Sequence, residues 1–111
     1  MQAQCVRIPI VSGKTQRFVD WMAEVNGRQA EMIASMRVEG VRAEAMFLER
    51  STSGDALVFY MQAEDLERAQ QVFAASTFAI DALTRAIIDE CWDVGRATRL
   101  EVLLELLGPA Y

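Results

Sequence analysis

The chain has 111 residues, 52% of them hydrophobic and 24% charged, with a net charge of −5. That length makes one domain, residues 1–111, large enough to bury a core without a disulfide or metal staple. The acidic balance excludes a nucleic-acid partner, which needs clustered Lys and Arg to neutralise phosphates.

No apolar run approaches the roughly 20 residues that cross a bilayer. The opening MQAQCVRIPIV lacks the basic, apolar and small-residue order of a secretory signal, so the expected location is the cytoplasm. Histidine is absent. A Ser/His/Asp triad, a Cys/His dyad, an ordinary zinc site and a histidine-ligated haem therefore lack their central residue. Cys5 and Cys91 stand too far apart for a CxxC motif and read as small buried hydrophobes. No cofactor and no metal are expected.

In chain order, Gln4 to Val11 alternates, with Val6, Ile8 and Ile10 on one side and Cys5, Arg7 and Pro9 on the other, which predicts a strand. Ser12 and Gly13 then open a helix. Phe18, Met22, Val25, Met32 and Met36 form its apolar stripe, with Trp21 and Ile33 widening it. Asn26 and Gly27 mark a kink, and Gly40 ends the helix just past Glu39. Val41 to Arg50 and Ala56 to Ala63 alternate on either side of the Gly-containing loop Ser51 to Asp55, an antiparallel hairpin.

A helix follows from Asp65, with Leu66, Ala69, Val72 and Phe73 in register. A further helical piece carries Ile80, Leu83, Ile87 and Cys91 on one face. Glu64, Asp65 and Asp81 sit at helix starts, where a carboxylate is usually a dipole partner, with a substrate contact as the alternative for Asp81. Asp93 to Arg99 is a loop. Leu100 to Leu107 alternates and is expected as a terminal strand, although a helix is open there too.

The order β-α-β-β-α-(α)-β predicts an α+β, ferredoxin-like fold: an antiparallel-rich four-stranded sheet with helices on one face. Right-handed crossovers are expected to set the first strand beside the third in parallel, with the second and fourth at the edges. The cleanly apolar sides should face the helices: Val6, Ile8 and Ile10; Ala43, Ala45 and Phe47; Leu57, Phe59 and Met61; and the even-numbered residues from Leu100 to Leu106. The opposite face then carries Arg7, Arg42, Glu44, Met46, Leu48, Val58, Tyr60, Gln62, Glu101 and Glu105. Such a half-apolar face calls for a cover, and a second copy through a two-fold axis is the expected one.

The run from Val6 to Asp81 resembles an uncharacterised conserved family of small dimeric α+β barrel proteins. Their superfamily also holds cofactor-independent antibiotic-biosynthesis monooxygenases and the rhamnose mutarotase type. The resemblance rests on the long first helix ending in Glu39, Gly40 and Val41, then on Glu44 and the F-L-E of Phe47, Leu48 and Glu49. Glu64, Asp65 and Leu66 follow, and then Ser76 with Ile80 and Asp81. It implies the fold and a homodimer whose sheets face each other across a dimeric α+β barrel, and it implies no reaction. The histidines of the mutarotase type have no counterpart here.

Five side chains on the polar face, Arg7, Arg42, Glu44, Tyr60 and Gln62, are the candidate ligand-binding residues. In the functional reading, Arg7 and Arg42 hold an acidic or enolisable small molecule while Tyr60 or Glu44 moves the proton. In the structural one, Arg7 belongs to an ion pair lining the dimer interior. Trp21, Trp92 and the methionines read as core, or as an apolar ligand surface. Glu44, Glu101 and Glu105 share a face but lie on opposite sheet edges, so no metal site is expected within one chain. The expected function is small-molecule binding or cofactor-independent catalysis in a pocket lined by that polar face. The alternative is a non-catalytic homodimeric structural or regulatory module.

Overall fold

The computed structural model describes residues 1–109. Its elements are β1 (Gln2–Pro9), α1 (Thr15–Asn26), α2 (Gln29–Glu39), β2 (Val41–Glu49), β3 (Ala56–Ala63), α3 (Leu66–Ala75), α4 (Ala79–Cys91), a 3-10 turn (Val94–Arg96) and β4 (Thr98–Arg99). The four strands form one sheet in the order β2-β3-β1-β4. The fold is thus mixed α+β, a four-stranded antiparallel sheet with four helices.

The expected long first helix is two helices. Asn26 turns its Nδ2 back to the carbonyl of Met22, Gly27 closes α1, and α2 restarts two residues on. Gly40 ends α2 at φ +74°, a left-handed conformation in which a Cβ is strained. The chain enters β2 directly from that cap.

β1 pairs with β3 antiparallel, not parallel as the crossover argument expected. The helices return the chain so that β1 and β2 run the same way. The hairpin then reverses β3, and it is this reversed strand that lies between them. β3 also accounts for the register of β2. Val41 pairs with Ala63 but Ala43 with Gln62, so Arg42 is an extra residue, a bulge at the start of the strand.

That single residue reverses the expected faces of β2. Beyond it Glu44 pairs with Met61, Met46 with Phe59 and Leu48 with Leu57, so Glu44, Met46 and Leu48 share the helix-covered face. Ala43, Ala45 and Phe47 lie on the outer face instead, and Phe47 is 60% exposed. The expectation that Glu44 faces away from the helices is therefore wrong.

The core lies between sheet and helices. Ile10, Phe18, Trp21, Leu57, Ile80, Ile87 and Cys91 form its main cluster, and Val41, Ala63, Leu66 and Ala69 a second. On α4 the inward position expected for Leu83 belongs to Thr84, whose hydroxyl bonds the Ile80 carbonyl, and Leu83 is exposed. Cys91 is buried as expected, while Cys5, on the outer face, is only partly so.

The terminal strand expected at Leu100 to Leu107 does not form, and the short strand that does lies earlier, within the expected loop. β4 comprises Thr98 and Arg99, paired with Arg7 and Val6. After the Leu100 amide donates to the Cys5 carbonyl at 2.8 Å, residues 101–108 carry no regular structure, and Leu103 is 88% exposed. Leucines on both sides of a segment need cover on both sides, and within one chain Leu103, Leu104 and Leu106 stay 76% exposed or more. No single helix among the described residues is long and apolar enough to cross a membrane.

Candidate functional site

Between the sheet and the helix layer lies a cavity of about 260 Å³. Its floor is Gln4, Val6 and Ile8 of β1, Glu44 and Met46 of β2, and Phe59 and Met61 of β3. Its roof is Met32 and Glu39 of α2, Ala69, Gln70 and Phe73 of α3, and Asp81, Thr84 and Ile88 of α4. Trp92, Val94 and Ala97 close one end, with exposed Val94, Ala97 and Gln70 at the solvent side. The lining is mostly apolar, the usual character of a small-molecule site, and it includes three carboxylates and no Lys or Arg.

Each carboxylate arrives from a different element. Glu39 is the last residue of α2, Glu44 follows the β2 bulge, and Asp81 stands in the first turn of α4. Ser35, one turn before Glu39, links two of them: its Oγ lies 2.6 Å from Asp81 Oδ2 and 3.2 Å from Glu39 Oε1. Ser76, at the C-terminal end of α3, donates to the same Asp81 oxygen at 2.5 Å. Arg85 braces that corner by donating to the carbonyls of Phe73 and Ser76 while its guanidinium lies over the Phe73 ring.

A hydroxyl has one proton to give. With the Ser35 proton on Asp81, the contact between Ser35 and Glu39 is a hydrogen bond when Glu39 is protonated and donates to Ser35 Oγ. Burial favours that state. Desolvation, with help from the nearby Glu44 and Asp81 charges, pushes Glu39 up to about 7; only a Ser35 hydroxyl turned from Asp81 to donate to ionised Glu39 pulls the other way. Glu44 is raised as well, first by desolvation and then by Asp81. Asp81 is 1% exposed, and its second oxygen, Oδ1, has no hydrogen-bond partner among the described residues. Glu39, Ser35 and Asp81 thus form a hydrogen-bonded line whose Glu39 end can hold or release a proton near neutral pH.

Of the five residues singled out from sequence, only Glu44 lines this cavity. Arg7 lies on the outer face, in an ion pair with Glu49 at 2.7 Å, both side chains about half exposed. Tyr60, opposite Cys5 and Ala45, and Gln62, opposite Ala3 and Ala43, lie on that same outer face. Arg42 is exposed at the bulge. The five do not converge, and the cross-strand neighbours of Arg7 are Val58 and Thr98.

Glu39 and Ser35 escaped the sequence reading because each looks like ordinary helix surface. A signal was present in the Glu39 spacing, four residues after Ser35 and thus on the same helical side. Met32, Met46, Met61 and Trp92 line the cavity while Trp21 is core, which divides the residues between the two roles considered for them. Among the described residues no group of three His, Cys, Asp or Glu side chains is placed to hold a metal ion.

An α+β fold with an acidic cavity under its helices is the class of protein these features define. The model of a family of unknown function (DUF6176) matches residues 1–108, and the chain belongs to that family. No curated protein matches it in sequence. Among solved structures it is similar to an L-rhamnose mutarotase of Formosa agariphila, at 10% identity and a TM-score of 0.62, covering 96% of this chain and 100% of that one. It is also similar to an uncharacterized NIPSNAP domain protein of Burkholderia xenovorans, at 16% identity and a TM-score of 0.59, covering 99% of this chain and 100% of that one. A protein of unknown function from Nitrosomonas europaea follows, at 18% identity and a TM-score of 0.51, covering 97% of this chain and 94% of that one. Identities this low speak to the fold alone, ferredoxin-like α+β.

Proposed function

We propose that this protein binds a small organic molecule in the cavity beneath its helices and exchanges a proton with it through Glu39, without a cofactor. The observation that supports this reading is the meeting of Glu39, Glu44 and Asp81 on the wall of an otherwise apolar cavity. Three carboxylates in one desolvated space work against folding, and such conflicts with core packing concentrate at functional sites. Four different elements supply the carboxylates and the two serines, so the arrangement depends on the whole fold rather than on one local motif.

The proposal extends to the assembly. We place the chain among the dimeric α+β barrel proteins, the superfamily of cofactor-independent antibiotic-biosynthesis monooxygenases, with a second copy covering the outer sheet face. Phe47 at 60% exposure and Leu103, Leu104 and Leu106 at 76% or more make that side more apolar than a monomer usually keeps. Cytoplasmic location belongs to the same proposal.

Methyl NMR tests the binding site. With ε-¹³C-methionine labelling, a bound molecule should shift the Met32, Met46 and Met61 methyl signals, which line the cavity, and leave Met1 unmoved. A metabolite screen in which ligands shift other methyls but never these three would overturn the assignment of the site.

A further inference from the structure

The chemistry of the cavity wall restricts what it can take. Its lining offers carboxylates from α2, β2 and α4, and neither β1, β3 nor α3 supplies a charged group to it. Two cations are bonded to residues of the wall, Arg99 to Gln4 Oε1 and Arg85 to the Phe73 carbonyl, and neither of them is part of the lining. An anionic ligand would therefore enter against three acids with no counter-charge on the lining itself.

Two further observations, independent of the charge count, point the same way. Asp81 is 1% exposed, its Oδ2 takes both serine hydroxyls, and its Oδ1 is left with no donor. A buried carboxylate oxygen in that state favours an incoming N–H. The rest of the wall includes Phe59 and Trp92, edge to face at 6.1 Å, and three methionine thioethers, surfaces that suit an apolar body and whose rings attract a cation.

We propose, resting on the cavity as the binding site, that its ligand is an organic cation: a protonated amine on a compact apolar body, the ammonium donating to Asp81 Oδ1 with Glu39 and Glu44 as neighbours. Space of about 260 Å³ suits a body of one ring, below the range of drug-sized sites. When the cation enters, its charge favours the ionised form of Glu39, so the proton on Glu39 leaves for solvent. Binding near neutral pH thus releases a proton.

The test compares benzylamine, benzyl alcohol and phenylacetate, which share a ring and differ in charge, by isothermal titration calorimetry and methionine methyl NMR. Benzylamine should bind about tenfold or more tighter than the alcohol, the worth of one charge-assisted hydrogen bond, and phenylacetate weakest. Titration in two buffers of different ionisation enthalpy should show net proton release for the amine only. D81N should remove the preference for the amine while the alcohol still binds. E44Q, at a side chain that makes no hydrogen bond among the described residues, gives a second variant that should narrow the preference if D81N does not fold. If the alcohol shifts the cavity methyls as strongly as the amine does, or phenylacetate binds tighter, the charge assignment is overturned and the cavity as a site survives. If none of the three moves those methyls, both are overturned.

Discussion

Ser35 of α2 and Asp81 of α4, 46 residues apart, meet through a 2.6 Å hydrogen bond in the interior, and this contact joins two helices at the wall of the cavity. It places a carboxylate where water does not reach it, held by hydroxyls rather than by a basic side chain. A hydroxyl stabilises such a charge without cancelling it.

Replacing Ser35 by alanine should therefore cost stability. It removes one of the two donors to Asp81 Oδ2 and the partner of Glu39. The expected loss is about 2 kcal/mol, the effect of leaving a buried charged group short of a bond. Urea unfolding at pH 7 with an unchanged m-value checks it, and a loss near zero would show that the contact carries no energy.

Stability should fall as pH rises through neutrality. Glu39 in the folded chain titrates at about 7 against 4.5 ordinarily, so between those values the folded state holds a proton that the unfolded state has released. The contribution is greatest at and below about 4.5 and is lost as pH climbs through 7, by on the order of 3 kcal/mol in total. E39Q should flatten most of this slope and be the more stable protein at pH 8. A smaller slope of the same sign should remain, because Glu44 is raised too. Denaturant melts from pH 5 to 8 decide between this and a pH-independent curve.

The outer face gives a prediction about assembly. If a second copy covers it, F47E combined with L103E should convert a dimer to a monomer with intact secondary structure, since both side chains are exposed within one chain. Size-exclusion chromatography with light scattering reads the mass, and a wild-type chain monomeric at micromolar concentration would sink the dimer.

Gly40 should tolerate no Cβ without strain. At φ +74° an alanine is expected to cost about 1 kcal/mol, with the nearest atom it would meet, Glu64 Oε2, at 3.8 Å, so the cost is conformational rather than steric. A thermal melt of G40A, with the helical circular dichroism signal retained, measures it.

Local pattern in the sequence determined much of this protein. Alternation placed β1, β2 and β3, and Gly40 and the Ser51 to Asp55 loop marked where the chain turns. Period two also assigned the faces of β1 and β3, because Val6, Ile8, Leu57 and Phe59 make one side plainly more apolar than the other. On β2 the contrast is weak: Ala43, Ala45 and Phe47 against Met46 and Leu48 are both plausible core sides. Only the pairing with β3, with Arg42 as an extra residue, decided which side turns inward, and it carried Glu44 under the helices. The i, i+4 spacing marked Ser35 and Glu39 as neighbours, but nothing local joined them to Asp81, because what brings Asp81 to them is the packing of α2 on α4. Side-chain periodicity is a short-range property that a single bulge can reverse, whereas a site assembled from separate elements exists only once those elements have packed.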